Sequence, residues 1–264
     1  MRIGFIGAGN MGGAIIKGYA ADVFVYDSDA EKAAALAALG LPVKIAGSLA
    51  ELAGASDALV LCVKPNVMGE VLDDLSALLK QQNEKLIISI AAGISIAFIK
   101  EKLGAETKVV RVMPNTPAMV GEGMSAMSAS DGLPEEDKAA AEKLFNAVGM
   151  AVWVPEEQMD IVTGISGSSP AYAYLYIEGL ISAGIEEGLS REAATIMAAQ
   201  STLGAGKMVL ENLGMVEPRQ LCDNVCSPGG TTIEAVKVLE EAGFTETVKK
   251  AAHASASKSK LMTK

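Results

Sequence analysis

Ser227, Pro228, Gly229, Gly230, Thr231 and Thr232 put hydroxyls and conformationally free positions at the mouth of an apolar segment running to Glu241. Read as a glycine turn feeding a helix, Cys226 to Glu241 presents the first helical amides, which lack intrahelical partners and carry the positive end of the helix dipole. A carboxylate or phosphate binds such a mouth without lysine or arginine. Ordinary capping is the other reading, with Thr231 or Thr232 as N-cap and Glu234 closing a box.

A second anion seat stands near the other end of the chain. Gly7-Ala8-Gly9-Asn10-Met11-Gly12 follows the apolar run Arg2 to Ile6 and precedes the helix-like GAIIKGYA, so the GxGxxG pattern sits between a strand and a helix. Gly7 permits the tight turn, Gly9 lets a pyrophosphate approach the backbone, and Gly12 lets helix and strand pack closely. A further strand, Val23 to Tyr26, ends in Asp27. A carboxylate there accepts hydrogen bonds from a ribose hydroxyl and repels a 2′-phosphate, which favours NADH over NADPH. Ser28 and Lys32 could hold that phosphate if Asp27 turns away, and Asp27 or Asp29 as the cap of AEKAAALAALG fits either cofactor.

The elements that must position these groups alternate along the first half. Short apolar runs at Val43–Ala46, Ala58–Val63, Leu86–Ile90 and Lys108–Met113 alternate with helical patterns, one of them capped by Ser48. That pattern predicts a parallel sheet covered on both faces, with ligands at the carboxyl ends of its strands. Those ends carry Val63-Lys64-Pro65, Ala91-Ala92-Gly93 and Asn115 between two prolines. Lys64 is placed to hold a cofactor phosphate or ribose, or is simply solvated. Ala91 to Gly93 would let a flat ring lie on backbone, and Asn115 offers both donor and acceptor. Gly121–Ser128 and Met150–Val154 read as two more strands flanking a helix from Pro134 to Val148, and Pro155-Glu156-Glu157 as a boundary. From Gln158 the strand signals stop. The expected fold is α/β: a doubly wound Rossmann-type sheet over residues 1–155, then an all-helical domain over 156–264. The helix AYAYLYIEGLISAGIEEG is apolar around most of its circumference, which calls for burial against a second copy of the chain.

Composition removes several function classes. A formal charge of −10 argues against nucleic acid or an anionic membrane as partner. Met1 is followed at once by a strand, and charges interrupt every long apolar run, so a cytoplasmic protein without a membrane span is expected. Cys62, Cys222 and Cys226 lack CxxC spacing and fit reduced thiols better than disulfides or a metal site. His253 is the single histidine, in an Ala/Ser/Lys-rich segment read as surface, so mechanisms needing a histidine base have nowhere to put it.

Taken together, Ile3 to Met11, Val63-Lys64-Pro65, Ala91-Ala92-Gly93, Met113 to Pro117, Gly167-Ser168-Ser169-Pro170-Ala171-Tyr172 and Ser227 to Thr232 have the order and spacing found in Δ1-pyrroline-5-carboxylate reductases. The chain resembles that family over essentially its whole length. The resemblance implies hydride transfer from NAD(P)H to the cyclic imine Δ1-pyrroline-5-carboxylate, giving L-proline in the last step of proline biosynthesis. It implies a homodimer through the C-terminal helices, with larger assemblies known in the family, and an active site at the domain and subunit junction. Amides of Gly229, Gly230 and Thr231 would hold the substrate carboxylate, Thr232 matches the family's functional threonine, and Asn224 and Ser227 line the pocket. The cofactor side would comprise Gly7, Ala8, Gly9, Asn10, Met11, Asp27, Ser28, Ser48, Val63, Lys64, Pro65, Ala91, Gly93 and Asn115. The chain departs from the family at Glu217-Pro218, where many members have His-Pro, at Cys222-Asp223, where Lys-Asp is common, and around Asp27.

Two other functions were weighed on the residues. A β-hydroxy-acid dehydrogenase would need a lysine-based helix motif after the sheet, and Tyr172, Tyr174 and Tyr176 stand there instead. A nucleotide-sensing regulator would have no use for an intact Ser227–Thr232 seat.

Overall fold

A four-residue apolar run with no polar side is stable as a strand only where both faces are covered. The computed structural model, which describes residues 1–80 and 85–263, builds such runs into one sheet. In chain order the first part comprises β1 (Ile3–Ile6), α1 (Asn10–Tyr19), β2 (Val23–Tyr26), α2 (Ala30–Ala38), β3 (Val43–Ile45), α3 (Leu49–Ala55), β4 (Ala58–Leu61) and α4 (Met68–Leu79). It continues with β5 (Leu86–Ser89), α5 (Ile96–Leu103), β6 (Lys108–Met113), β7 (Gly123–Ala129), α6 (Glu135–Asn146) and β8 (Gly149–Trp153).

The strand order is β3-β2-β1-β4-β5-β6-β7-β8. The chain therefore builds outward from β1 in one direction, then returns to place β4 on β1's other side. The crevice at the carboxyl ends of β1 and β4 is the switch point at which doubly wound sheets bind ligands, and the glycine turn leaves β1 there. Side chains alternate across the sheet. Phe5, Val60 and Ile88 join Ile15, Ile16 and Phe145 on one face. Leu59, Leu61 and Ile87 meet Leu52, Met68 and Leu72 on the other.

One expectation needs correcting. β7 runs antiparallel to β6, while all the other neighbouring strands pair in parallel. Between β6 and β7 stands only a 3-10 turn, Thr116–Val120. A parallel partner needs a crossover of a dozen or more residues, so so short a link reverses the chain.

The helical part comprises α7 (Met159–Val162), α8 (Ser169–Glu186), α9 (Arg191–Glu211), α10 (Pro218–Val225), α11 (Thr231–Glu241) and α12 (Phe244–Met262). Helix α7 runs on into a π-helical turn at Thr163–Gly167.

By packing, the chain divides into two units: Met1–Ser168 together with the stretch from His253 onward, and Ser169–Ala252. The first unit runs past the last strand for identifiable reasons. Glu156 Oε1 accepts from the buried Arg111 at 3.0 Å and from the Ile96 amide at 2.8 Å, and Met159 is buried. In the second unit the buried apolar cluster consists of Ile181, Ala194 and Ala198, with Ile177 against it. Tyr174 and Leu175 on α8 are 61% and 76% exposed in the single chain. So small a core cannot hold some eighty residues of helix unaided.

At the edge of the first unit, Arg2 ties the start of β1 to the residue before β4. Its Nη2 is 2.7 Å from Asp57 Oδ1, and its amide donates to Asp57 Oδ2 at 2.8 Å. These bonds hold the Asp57 carboxyl down at about 2. A depressed carboxyl stabilises the fold above its unfolded pKa and loses that contribution as pH falls through the folded value. Because the pair is solvent-exposed, Asp57→Asn is expected to cost about 1 kcal/mol or less at neutral pH. The gap to the unmodified chain should close between about pH 4 and pH 2, as read from urea midpoints across that range.

Candidate active site

Two glycines of the loop after β1 are required by its fold, and a third is not. Gly7 has φ +104°, and a Cβ there would lie 2.9 Å from the Cys62 carbonyl. A Cβ at Gly12 would lie 2.6 Å from the Gly7 carbonyl oxygen. Gly9, in contrast, faces open space, with nothing within 4 Å of where its Cβ would stand. Gly9 is also the N-cap of α1 and supplies no side-chain cap, so the first-turn amides of α1 remain available to a ligand.

Asp27 braces this loop. Its Oδ2 accepts from the Ala8 amide at 2.7 Å, and its Oδ1 accepts from the Asp29 amide at 2.9 Å. The cap of α2 is Asp29, whose carboxylate accepts from Glu31 and pairs with Lys32 at 3.2 Å. Ser28 is exposed beside them. Ser48 caps α3, as its sequence position suggests: its hydroxyl accepts from the Glu51 amide at 3.1 Å while Glu51 Oε2 accepts from the Gly47 amide at 2.8 Å, which leaves the Ser48 proton free to donate.

At the carboxyl ends of β4, β5 and β6 lies a cavity of about 230 Å³ lined by Met11, Val63, Lys64, Pro65, Ala91 and Ala92, among others. Six residues singled out in three separate stretches of sequence thus face one space. Lys64 is exposed at its rim. Asn115 serves a different role from the one expected: Nδ2 donates to the Ser166 carbonyl at 3.0 Å and Oδ1 accepts from the Met124 amide at 2.8 Å. Buried and bonded at both ends, it clamps the turn after β6.

A neighbouring cavity of about 240 Å³ runs from Ala8, Gly9 and Asn10 to Lys17 and Lys32. Lys17 was not singled out in the sequence. Its signal was helical spacing, since Asn10, Gly13 and Lys17 fall on one face of α1.

In the second unit, no side chain caps α11. Gly230 is the N-cap of α11 and makes no side-chain cap. Thr231 and Thr232 are already helical, and Glu234 turns to Lys237 at 2.7 Å instead of closing a box. Gly229 adopts φ +68°, which the turn requires. The Ser227 hydroxyl occupies the place of a Cβ at residue 230, and the Ser227 carbonyl accepts the Gly230 amide at 3.0 Å. The Gly230 N–H therefore closes the turn, which leaves the α11 first-turn amides as donors. Thr232 is half-buried, Thr231 exposed. Asn224 Oδ1 accepts from Gln220 at 3.0 Å, and Arg219 bridges Asp223 at 3.0 Å and also Glu240, bracing α10 to α11.

Burial pushes the Cys62 and Cys226 thiols up, with Cys222 adding to the effect at Cys226. Both stay protonated near neutral pH and are poor nucleophiles. His253 is exposed on α12. Among the described residues, no three His, Cys, Asp or Glu side chains cluster as metal ligands, and no helix is long and apolar enough to cross a membrane.

The chain is 41% identical to the pyrroline-5-carboxylate reductase of Escherichia coli over 250 residues, covering 92% of this chain and 91% of that one. The chain belongs to the pyrroline-5-carboxylate reductase family. Residues 156–262 match the family model described as pyrroline-5-carboxylate reductase dimerisation, and residues 2–93 match the NADP oxidoreductase, coenzyme F420-dependent, family. Among solved members, the reductase from Coxiella burnetii superposes with a TM-score of 0.92 at 34% identity, covering 100% of this chain and 98% of that one. The reductase from Plasmodium falciparum, solved with NADP bound, gives 0.86 at 36% identity over the same shares.

The two glycines of the loop make opposite predictions. Gly9→Ala should change stability by no more than about 1 kcal/mol yet weaken nucleotide binding about tenfold or more, because its methyl enters ligand space. Gly12→Ala drives a methyl into backbone and should lower stability by about 1–3 kcal/mol. Thermal melts and NADH titration of both variants check this.

Proposed function

We infer that the chain is an NAD(P)H-dependent oxidoreductase that reduces Δ1-pyrroline-5-carboxylate to L-proline, as the last step of proline biosynthesis. It works as a homodimer through its C-terminal helices. The observation that carries the reading is the uncapped mouth of α11 behind Ser227–Thr232. An unfilled helix N-terminus is a seat for one anion, and the substrate carries one carboxylate.

The proposed roles follow from the geometry of each half-site. The Thr231 and Gly229 amides, with others of the α11 first turn, hold the carboxylate, while Gly230 keeps the backbone free of side chain at that point. Ser227 and Asn224 border the seat. Thr232 supplies a hydroxyl to the ring nitrogen. Charge on that nitrogen changes as hydride reaches the imine carbon, so a donor aimed there is worth most in the transition state. Threonine is a poor acid, and we assign it positioning of a substrate that arrives protonated. When bound, the reduced nicotinamide supplies the hydride, and transfer requires its reacting carbon about 3–3.5 Å from the imine.

On the cofactor side we propose that Gly7 to Met11 receive the pyrophosphate and that Val63, Lys64, Pro65, Ala91 and Gly93 bound the nicotinamide end. Asn115 supports that end from behind. We propose NADH as the preferred form, since the Asp27 carboxylate is fixed by two amides at the end of β2, the strand end at which a carboxylate meets the ribose. A second reading, NADPH, is favoured by Lys17 and Lys32 beside the same loop and by the NADP of the Plasmodium relative. We place the functional boundary after residue 155. Three unpaired thiols support a cytoplasmic setting.

Two measurements test these assignments. Thr232→Ala should fold and assemble normally but lose about 10- to 1,000-fold in turnover, and unchanged turnover would remove Thr232 from the reaction. In Asp27→Ser, the ratio of kcat/KM for NADH over NADPH should fall by a factor equivalent to about 1–3 kcal/mol. Taking the ratio cancels any damage to the loop that Asp27 braces, so an unmoved ratio assigns Asp27 to bracing alone.

A further inference from the structure

The last turn of α12 returns to the sheet and is fastened there by a carboxylate. Ser259, buried, donates to Asp160 Oδ1 at 2.7 Å, and Thr263 donates to the same oxygen at 3.2 Å. Upstream on the same helix, the Ser255 and Ser168 hydroxyls meet at 2.8 Å. Asp160 stands in the first turn of α7, where a negative charge suits the helix dipole, but at the carboxyl end of α12, where it does not. The Ser259 hydroxyl offsets that repulsion, and the single Thr263 proton is shared between Asp160 and the Ser259 carbonyl at 3.1 Å, so the contacts together fix where α12 ends.

What this end touches is the cofactor side of the sheet. Gly93 is buried with φ +71°, and a Cβ there would lie 3.0 Å from the Met262 carbonyl oxygen. Gly93 closes the turn whose Ala91 and Ala92 wall the cavity beside Lys64. The chain of contacts therefore runs from Asp160, through Ser259 and Thr263, to the Met262 carbonyl, to Gly93, and so to the wall of the cavity.

We propose that Asp160, Ser259 and Thr263 are positioning residues for the nicotinamide: by seating the end of α12 against Gly93 they set the depth of the cavity that receives the ring. The inference rests on the reading that this cavity takes the nicotinamide end of the cofactor. Support of this kind matters because a site held about 1 Å out of place can lose most of its effectiveness.

The test compares the unmodified homodimer with Ser259→Ala/Thr263→Val and with Ser259→Thr, which keeps the hydroxyl. NADH affinity is read from nucleotide fluorescence without substrate, alongside KM for NADH, KM for pyrroline-5-carboxylate, and the melting temperature. The double variant should bind NADH about tenfold more weakly, with a matching rise in its KM and pyrroline-5-carboxylate KM within about twofold; Ser259→Thr should restore the original values. Unchanged NADH affinity in the double variant overturns the proposal. So does a parallel loss for both substrates that tracks melting temperature and that Ser259→Thr fails to rescue. Should the double variant fail to fold, Gly93→Ala, which presses on the Met262 carbonyl and leaves the hydroxyls intact, must show the same cofactor-selective loss or the idea falls. If the unmodified enzyme binds NADH but leaves pyrroline-5-carboxylate unreduced, the assigned activity fails while the affinity comparison still decides the role of the α12 end.

Discussion

Helices α1 and α11 begin on Gly9 and Gly230, and neither glycine gives the first-turn amides a side-chain cap. By contrast α2, α3, α5 and α9 are closed by Asp29, Ser48, Ser95 and Ser190, while α4, α6 and α10 also lack a side-chain cap but start on Val67, Pro134 and Glu217, whose side chains cover the position that glycine leaves bare. A cap of this kind is worth about 1 kcal/mol, so omitting it at Gly9 and Gly230 costs stability that an anion can return. The net charge of −10 makes this arrangement intelligible. With little positive charge to spare, a chain of this kind can offer an anion oriented backbone dipoles in place of lysine, which is the arrangement proposed for both mouths.

Such amides are useful only if the turn before them is held. In the first unit this is done by Asp27, whose carboxylate spans the Ala8 and Asp29 amides, and by the close fit of Gly7 and Gly12 against Cys62 and each other. In the second it is done by Ser227, whose carbonyl and hydroxyl both press on Gly230. The residues flanking each turn thus shape backbone and leave its amides as donors. Asn115 belongs to the same group, since both ends of its amide serve the turn after β6.

The helical unit shows the opposite economy. Its apolar side chains are plentiful, yet Leu175, Ile196, Met197 and Leu203 are largely exposed in the single chain. Apolar surface on that scale is the mark of an interface, and the match of residues 156–262 to a dimerisation family accounts for it. The stability of this unit is therefore tied to association with a second copy.

The alternation of apolar runs and helical patterns, read with GxGxxG in its strand-turn-helix context, was enough for the eight strands, the helix that follows the glycine turn, and the Ser227–Thr232 turn. These are local signals: periodicity and glycine placement act over a few residues and are written in order along the chain. Tertiary structure alone decided the rest. Whether β7 runs with or against β6 depended on the length of a link and on which edge remained open. Whether a side chain caps α11 depended on where Glu234 and Ser227 point. The roles of Asp27 and Asn115 depended on partners 19 and up to 51 residues away. The meeting of Asp160 with Ser259, 99 residues apart, had no local signal at all, because a hydroxyl and a carboxylate are common and only the path of the folded chain brings those two together.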